Sequence, residues 1–381
     1  MRIMAGLQVL TLVSTTLFGC AGATPNLSPP QMQNPGLGNA PRSQSQPVAD
    51  ASLSVKSEDL PPSEEISAKP GTFFTQPYVQ FLPFEADPKS GSGILINYQL
   101  TGMNPKSTLS IEWRPAGSGD WKPAKGPKST KVWGPAGVDA HTIIQQQLTG
   151  LPAGAWVDYR FVSGKETVFQ SRCKTRPAAG QSQKVVIFGD CGAGTPESRL
   201  IAMEASKIKA DYLVLTGDIV YSKGRASEYK TNFWPVFNAN TADPKVGGPL
   251  LRSTVTVPAP GNHDIRSTTL DKFQDGFAYF LYWGLPTNGY NFPKDSKSAT
   301  QLGGDADLQA TYKAAAGDAF PNAANYSITV GDVHWTILDA NPNVEWTDAK
   351  LLAWLEADLA AASKSPWRFV AFHHPPFNSS V

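Results

Sequence analysis

From residue 184 onward, one apolar run after another ends in a residue that can hold an ion. The runs are "KVVIFGD" at 184–190, "DYLVLTGD" at 211–218, "TVTVPAPGNHD" at 254–264 and "WRFVAFHH" at 367–374. Continuous apolar runs without alternation are the pattern of strands covered on both faces. A segment of helical character at 196–210 separates the first two, so the region reads as an α/β unit with a parallel sheet. Open sheets of this kind collect ligands at the carboxyl ends of their strands. Each motif alone is weak, because Asp and Gly also end strands simply by forming turns. Together they are informative. They place Asp190, Asp218 with Tyr221, Asn262–His263–Asp264 and His373–His374 at strand ends of one unit, and three of the chain's five histidines fall there. Hard oxygen donors joined by imidazoles suit a pair of divalent or trivalent metal ions. Two such ions about 3.5–4 Å apart can clamp a phosphate and generate hydroxide at moderate pH.

The remaining histidines are His141, in a β-rich region, and His334 in "NYSITVGDVHWTILDAN", where it reads as a hydrogen-bonded structural residue. Asp348 before "LLAWLEADLAAA" predicts a capped amphipathic helix near 347–362. Residues 240–253 and 286–324 are rich in Gly, Pro, Asn and Asp and read as long loops that could wall a site.

Upstream the rhythm differs. Between about 71 and 177, short alternating runs such as "GILINYQL", "STLSIEWRP" and "WVDYRFVSG" are separated by turn residues, which predicts a β-sandwich. Trp113, Tyr159 and Phe161 read as core aromatics of that sandwich. Residues 21–70 are dominated by Pro, Ser, Gln, Asn and Gly and read as a disordered tether. The first 20 residues have a cation at Arg2, then an apolar stretch, then small residues, the layout of an export signal. "LFGC" resembles a bacterial lipoprotein cleavage box with Cys20 as the lipid-bearing residue, although Phe18 is bulky for it; ordinary secretion with cleavage near 21–23 is the other reading. The expected location is therefore outside the cytoplasm, either anchored to a membrane through a lipid on Cys20 or secreted. Cys173 and Cys191 are then the remaining thiols, either bridged or separately buried. The net charge of +1 offers no basic field, so nucleic acid is not an expected partner.

The motifs "GDCG", "GDIVY", "GNHD" and "VAFH" resemble, in that order, the calcineurin-like metallophosphoesterase superfamily, and most of all the purple acid phosphatases. The preceding sandwich, fibronectin type III-like at "LTGLPAGAWVDYRF", resembles their N-terminal domain. The resemblance implies an all-β sandwich at 71–178 followed by a catalytic domain at 182–381 with a four-layer α-β-β-α fold. It implies a dinuclear centre of Fe(III) with Fe(II), zinc or manganese. Asp218 would bridge the metals, Asp190 and Tyr221 would bind the ferric ion, and Asn262 and His373 the divalent one. His263 would face the substrate as a catalytic residue. His374 would assist it, or would simply pack against Pro375. Asp264 would orient a neighbour. The implied reaction is hydrolysis of a small phosphate monoester by hydroxide held at the metals. Gly192 stands where many phosphodiesterases of the superfamily carry histidine. The family's fifth motif, GHxH, does not occur, so a fragment with an incomplete catalytic domain, weakly active or inactive, is the expectation. A phosphodiesterase or nucleotide hydrolase, and a non-catalytic surface binding protein, are the alternatives.

Overall fold

The computed structural model describes residues 7–11, 63–83, 92–266, 269–293 and 296–375. Cys20, most of the expected export signal and residues 21–62 of the expected tether lie outside the described residues. Within the signal segment, Leu7–Thr11 forms strand β1. Among the described residues no helix is long and apolar enough to cross a membrane.

The first part of the body is built from strands β2 (Thr75–Phe81), β3 (Ser92–Thr101), β4 (Leu109–Pro115), β5 (Lys122–Pro123), β6 (Lys128–Trp133), β7 (His141–Leu151), β8 (Trp156–Ser163) and β9 (Glu166–Lys174). They form two antiparallel sheets, ordered β2-β3-β7-β6 and β5-β4-β8-β9. The sheets meet through aromatic edges: Tyr98 of β3 stands 4.9 Å from Phe161 of β8, and Phe73 touches both rings. Trp113, Tyr159 and Phe161 are all buried, as core aromatics should be. Order begins before residue 70, however. Ile66 pairs with Gln170 through backbone bonds of 3.0 and 2.9 Å, so the end of the expected tether adds to the edge of β9. Its composition hid this, because the pairing uses backbone groups and needs no apolar pattern.

Among the described residues, the second part holds two larger sheets and a two-stranded ribbon. Strands β10 (Gln183–Phe188), β11 (Tyr212–Thr216) and β14 (Val255–Ala259) lie in a parallel sheet in the order β1-β10-β11-β14. Strands β15 (Tyr326–Val330) and β16 (Val333–Ile337) form a hairpin, and β17 (Trp367–Ala371) runs parallel to β16. Trp335 Nε1 donates to Tyr212 Oη at 2.9 Å and Tyr326 Oη to the Pro258 carbonyl at 2.7 Å, which ties the two sheets face to face. Helix α1 (Pro196–Lys207) follows β10; Thr195 caps it and Pro196 occupies its first turn. The stretch expected to be loop at 240–253 is instead a ribbon, β12 (Asn238–Asp243) with β13 (Gly247–Pro249), leading into the turn α2 (Leu250–Ser253). The turn α3 (Asn262–Ile265) and α4 (Ala278–Tyr282) follow. The second expected loop contains α5 (Ala306–Ala316), where Asp305 caps an alanine-rich run. Asp348 caps α6 (Ala349–Ala361), and Asp358 on that helix bonds Ser327, Thr336 and His334 of the second sheet.

The two parts share one core. Tyr78 stacks on Trp234 at 4.6 Å, meets Trp283 at 5.5 Å and donates to the Tyr282 carbonyl at 2.6 Å. Arg252, 1% exposed, donates to Asn238 and Gln76, and its carbonyl accepts from Tyr159 at 2.8 Å. A buried guanidinium is tolerated because its donors are met. Cys173 and Cys191 are free and buried, so no disulfide links the parts.

Candidate metal centre

All the strand ends named by the sequence point to one place. Asp190 follows β10 and Asp218 follows β11, and both adopt left-handed backbone, with φ of 53° and 49°. Aspartate is among the few residues that enter this region readily. The turn swings each carboxylate off its strand, and backbone bonds lace the two turns together: Asp190 N to Gly217 O at 3.0 Å and Cys191 N to Asp218 O at 3.2 Å. One donor atom from each of Asp190, Asp218 and His373 lies within 4.8 Å of the others. Donors sharing one ion with bonds of about 2.0–2.2 Å stand at most about 4.4 Å apart, so donors within 4.8 Å are spaced to serve one cation or two neighbouring cations that share Asp218.

The surroundings orient each group. His373 sits just past β17. Its Nδ1–H donates to the Thr216 carbonyl at 3.0 Å, because a carbonyl can only accept. That fixes the tautomer and leaves Nε2 facing Asp218 Oδ2 at 3.2 Å. The other oxygen of Asp218 accepts from the His263 backbone at 2.9 Å. Tyr221 Oη donates to Asp190 Oδ1 at 2.7 Å. His263 donates from Nδ1 to the Ser222 carbonyl at 2.8 Å and turns Nε2 to within 3.9 Å of Asp218 Oδ2. Asn262 is half-buried at the first position of α3, next to His263. His374 stands at the margin: its Nδ1 donates to the Ala340 carbonyl at 3.1 Å and its ring meets His373 edge-on at 4.9 Å. Asp264 is wholly interior and accepts from the backbone N–H groups of Gly261, Ile219 and Val220, so it pins the β11 turn to α3.

Two glycines make room for this. A Cβ at Gly261 would lie 2.2 Å from Asp218 Oδ1, and one at Gly192 would lie 1.8 Å from the Ile219 carbonyl oxygen. On this backbone no histidine can replace Gly192. Sequence reasoning missed the orienting carbonyls of Thr216, Ser222 and Ala340, which carry no side-chain signal. Glycines just before Asp190, Asp218 and Asn262 were the visible trace of the crowding.

The electrostatics are those of a site that attracts cations. Burial disfavours the charged form of His373, but the hydrogen bond and charge of Asp218 prevail and lift its pKa to about 9. Asp218 is held below the usual carboxylate range, since the hydrogen bond and charge of His373 outweigh its burial. Burial, the hydrogen bond to Asp190 and the two aspartate charges push the Tyr221 phenol far up. Burial and the charge of Asp218 raise Asp264 to about 7, against the pull of its three backbone donors. Burial also depresses His374, with the charge of His373 acting in the same direction. Two carboxylates, a phenol and an imidazole facing one another are the donor set of a hard cation, so these residues fit a metal.

A family model described as calcineurin-like phosphoesterase matches residues 183–381, just over half of the chain and all four strand ends. No curated protein matches in a sequence comparison. Among solved structures, purple acid phosphatase PPD1 isolated from yellow lupin (Lupinus luteus) seeds is similar at 17% identity and a TM-score of 0.49, over 78% of this chain and 51% of that one. A structure of PhoD is similar at 14% identity and a TM-score of 0.44, over 78% of this chain and 61% of that one. The chain thus spans between half and two thirds of the length of these structures. With its paired sheets and a donor cluster at their strand ends, the chain belongs to the calcineurin-like phosphoesterase family.

Proposed function

We propose that the protein is an exported, metal-dependent phosphatase of the purple acid type, hydrolysing small phosphate monoesters at a dinuclear centre of Fe(III) with Fe(II), zinc or manganese. The observation that carries this reading is the convergence of Asp190, Asp218 and His373, with the Tyr221 hydroxyl 2.7 Å from Asp190. Carboxylate and phenol suit a ferric ion, and the imidazole of His373 with the amide of Asn262 suits a softer divalent one. Asp218 stands between these two groups of donors, with Oδ1 held by the His263 backbone N–H and Oδ2 3.2 Å from His373 Nε2, and would be the residue the two ions share. When bound, such a pair neutralises phosphoryl oxygens and acidifies water. The chain's own residues do the rest. Asp264 holds the turn that aims Asp218. The Ser222 carbonyl fixes the ring of His263, so its Nε2 is the atom that can carry a proton to the leaving oxygen. His374, held on the Ala340 carbonyl, stands against the ring of His373 at the edge of the same space. Export through residues 1–20, with Cys20 as a lipid anchor, belongs to the same proposal; fatty-acid labelling that survives Cys20→Ser would sink the anchor.

Two measurements on the full-length protein test the chemistry. Elemental analysis should find iron with a second metal, and an aryl phosphate monoester should be cleaved faster than the matching diester. Absence of bound metal would favour a binding protein; a faster diester would favour a phosphodiesterase. Tyr221→Phe should remove the visible absorption while the far-ultraviolet circular dichroism stays unchanged. Persistence of the visible band would overturn the role given to Tyr221.

A further inference from the structure

The ring of His263 is held by one peptide group, and that group is itself held from behind. The Ser222 carbonyl accepts from His263 Nδ1 at 2.8 Å. The N–H at the other end of the same peptide, that of Lys223, donates to both carboxylate oxygens of Glu228, at 3.2 and 3.0 Å. This peptide is trans, so its N–H and C=O point in opposite directions from one rigid plane. Glu228, the Ser222–Lys223 peptide and His263 therefore form a single hydrogen-bonded chain, from carboxylate through amide to imidazole. Bonds in such a chain polarise and strengthen one another.

Glu228 does more than begin a helix. It is the third residue of the helical stretch that starts at Ala226, and its bond from Arg225 N at 2.9 Å is the return half of a capping box. A capping box needs only that bond. Glu228 also takes the N–H of Ser222 at 2.6 Å and that of Lys223, so three backbone donors converge on one half-buried carboxylate. Hydrogen bonds to an ionised acceptor are about twice as strong as neutral ones. The loop is clamped on another side as well. Gly224 has a φ of 62°, and a Cβ there would lie 2.2 Å from the Asp264 carbonyl oxygen, so the loop runs hard against the turn that bears His263. The Gly224 carbonyl accepts from Ala278 N at 2.9 Å. A loop gripped in this way keeps the Ser222 carbonyl at a set distance from the ring.

We propose that Glu228 is a positioning residue of the reaction: acting through the Ser222–Lys223 peptide, it holds the His263 ring so that Nε2 delivers its proton to the leaving oxygen as the P–O bond breaks. Glu228 touches no reacting atom; its carboxylate fixes the acceptor that fixes the ring. The inference rests on the phosphatase reading and adds a residue to it.

Magnetic resonance of the full-length protein, loaded with diamagnetic zinc and isotope-labelled at histidine, reads the ring directly. The Nδ1–H proton of His263, identified by its loss in His263→Ala, should exchange with water about tenfold faster in Glu228→Ala, the effect of one charge-assisted hydrogen bond. Glu228→Gln keeps one acceptor oxygen and should show a smaller increase; it carries the same comparisons where Glu228→Ala does not fold. In turnover, Glu228→Ala should lower kcat about tenfold for an alkyl phosphate, whose leaving oxygen needs a proton. It should lower kcat far less for para-nitrophenyl phosphate, whose leaving group departs as an anion, and KM should hold for both. Asp275→Asn is the control for a helix start that is merely loosened. Asp275 accepts from Ser227 N at 2.9 Å and Arg225 Nε at 2.7 Å at the same helix start, away from the Ser222–Lys223 peptide. That variant should lower the melting temperature and leave both readouts unchanged. Native exchange in the Glu228 variants overturns the inference, as do equal losses on the two esters or an equal effect of Asp275→Asn. If the native protein cleaves neither ester, the phosphatase reading falls and takes the catalytic role with it, while the exchange rates still decide whether Glu228 holds the ring.

Discussion

At the scale of single residues, the centre depends on a few atoms held by neighbours that do no chemistry. The tautomers of His263, His373 and His374 are set by three main-chain carbonyls. His263 can be removed with little structural cost, because its ring is half-exposed and its backbone N–H, not its ring, holds Asp218. His263→Ala should therefore lower kcat by roughly 10²–10⁴, the range of a lost general acid, with melting temperature and metal content intact. A loss confined to KM would assign His263 to binding instead. The side chains of the centre were legible in the sequence because each sits where an apolar run stops, and that signal is local. Their orientation was not, since carbonyls are the same in every residue. The two thiols show a related limit: spacing left a bridge open, and only coordinates show Cys173 and Cys191 buried apart from any disulfide.

At the scale of elements, the strands with continuous apolar runs and the capped helices follow their local signals. Asp348 accepts from the backbone of Lys350 at 2.8 Å and of Leu351 at 3.3 Å, and it begins α6 where the sequence placed it. Asp348→Ala should cost about 1 kcal/mol in chemical denaturation. A change within error would mean that packing through Asp358 alone sets the helix. Two elements were hidden. The run "ADLQATYKAAA" of α5 favours a helix, but glycine and proline on either side made the region look like loop. The ribbon "NANTAD" has almost no strand propensity and forms because Arg252 bonds the side chain and carbonyl of Asn238 at its start.

At the scale of the molecule, His141 reports on the union of the two parts. It lies in the sandwich, stacked on Phe74 at 4.5 Å, and its Nε2 meets Tyr282 Oη of the second part at 3.0 Å. Burial lowers its pKa, against the opposing pull of the Asp139 carbonyl. The folded protein thus takes up this proton less readily than the unfolded chain, whose histidine titrates near 6.5. The stability His141 contributes is complete above that pH and is lost as pH falls below it. Buried Asp264 titrates in the opposite sense over this range, so the His141 part is read as a difference: the stability gap between native protein and His141→Gln should shift in favour of the variant as pH falls from 7 to 5. A gap that does not change with pH would show that His141 contributes no such dependence. With Tyr78, Trp234 and Trp283 in one core, heat should unfold both parts in a single transition.

That shared core also bears on how such a chain can be inherited. Cutting between β9 and β10 would bare Tyr78 on one piece and Trp234, Trp283 and Arg252 on the other. Neither piece is a cassette that recombination could move alone into a new gene and leave soluble. The sandwich and the catalytic sheets must travel together, and a graft of one onto a foreign partner would have to bring a matching aromatic face with it.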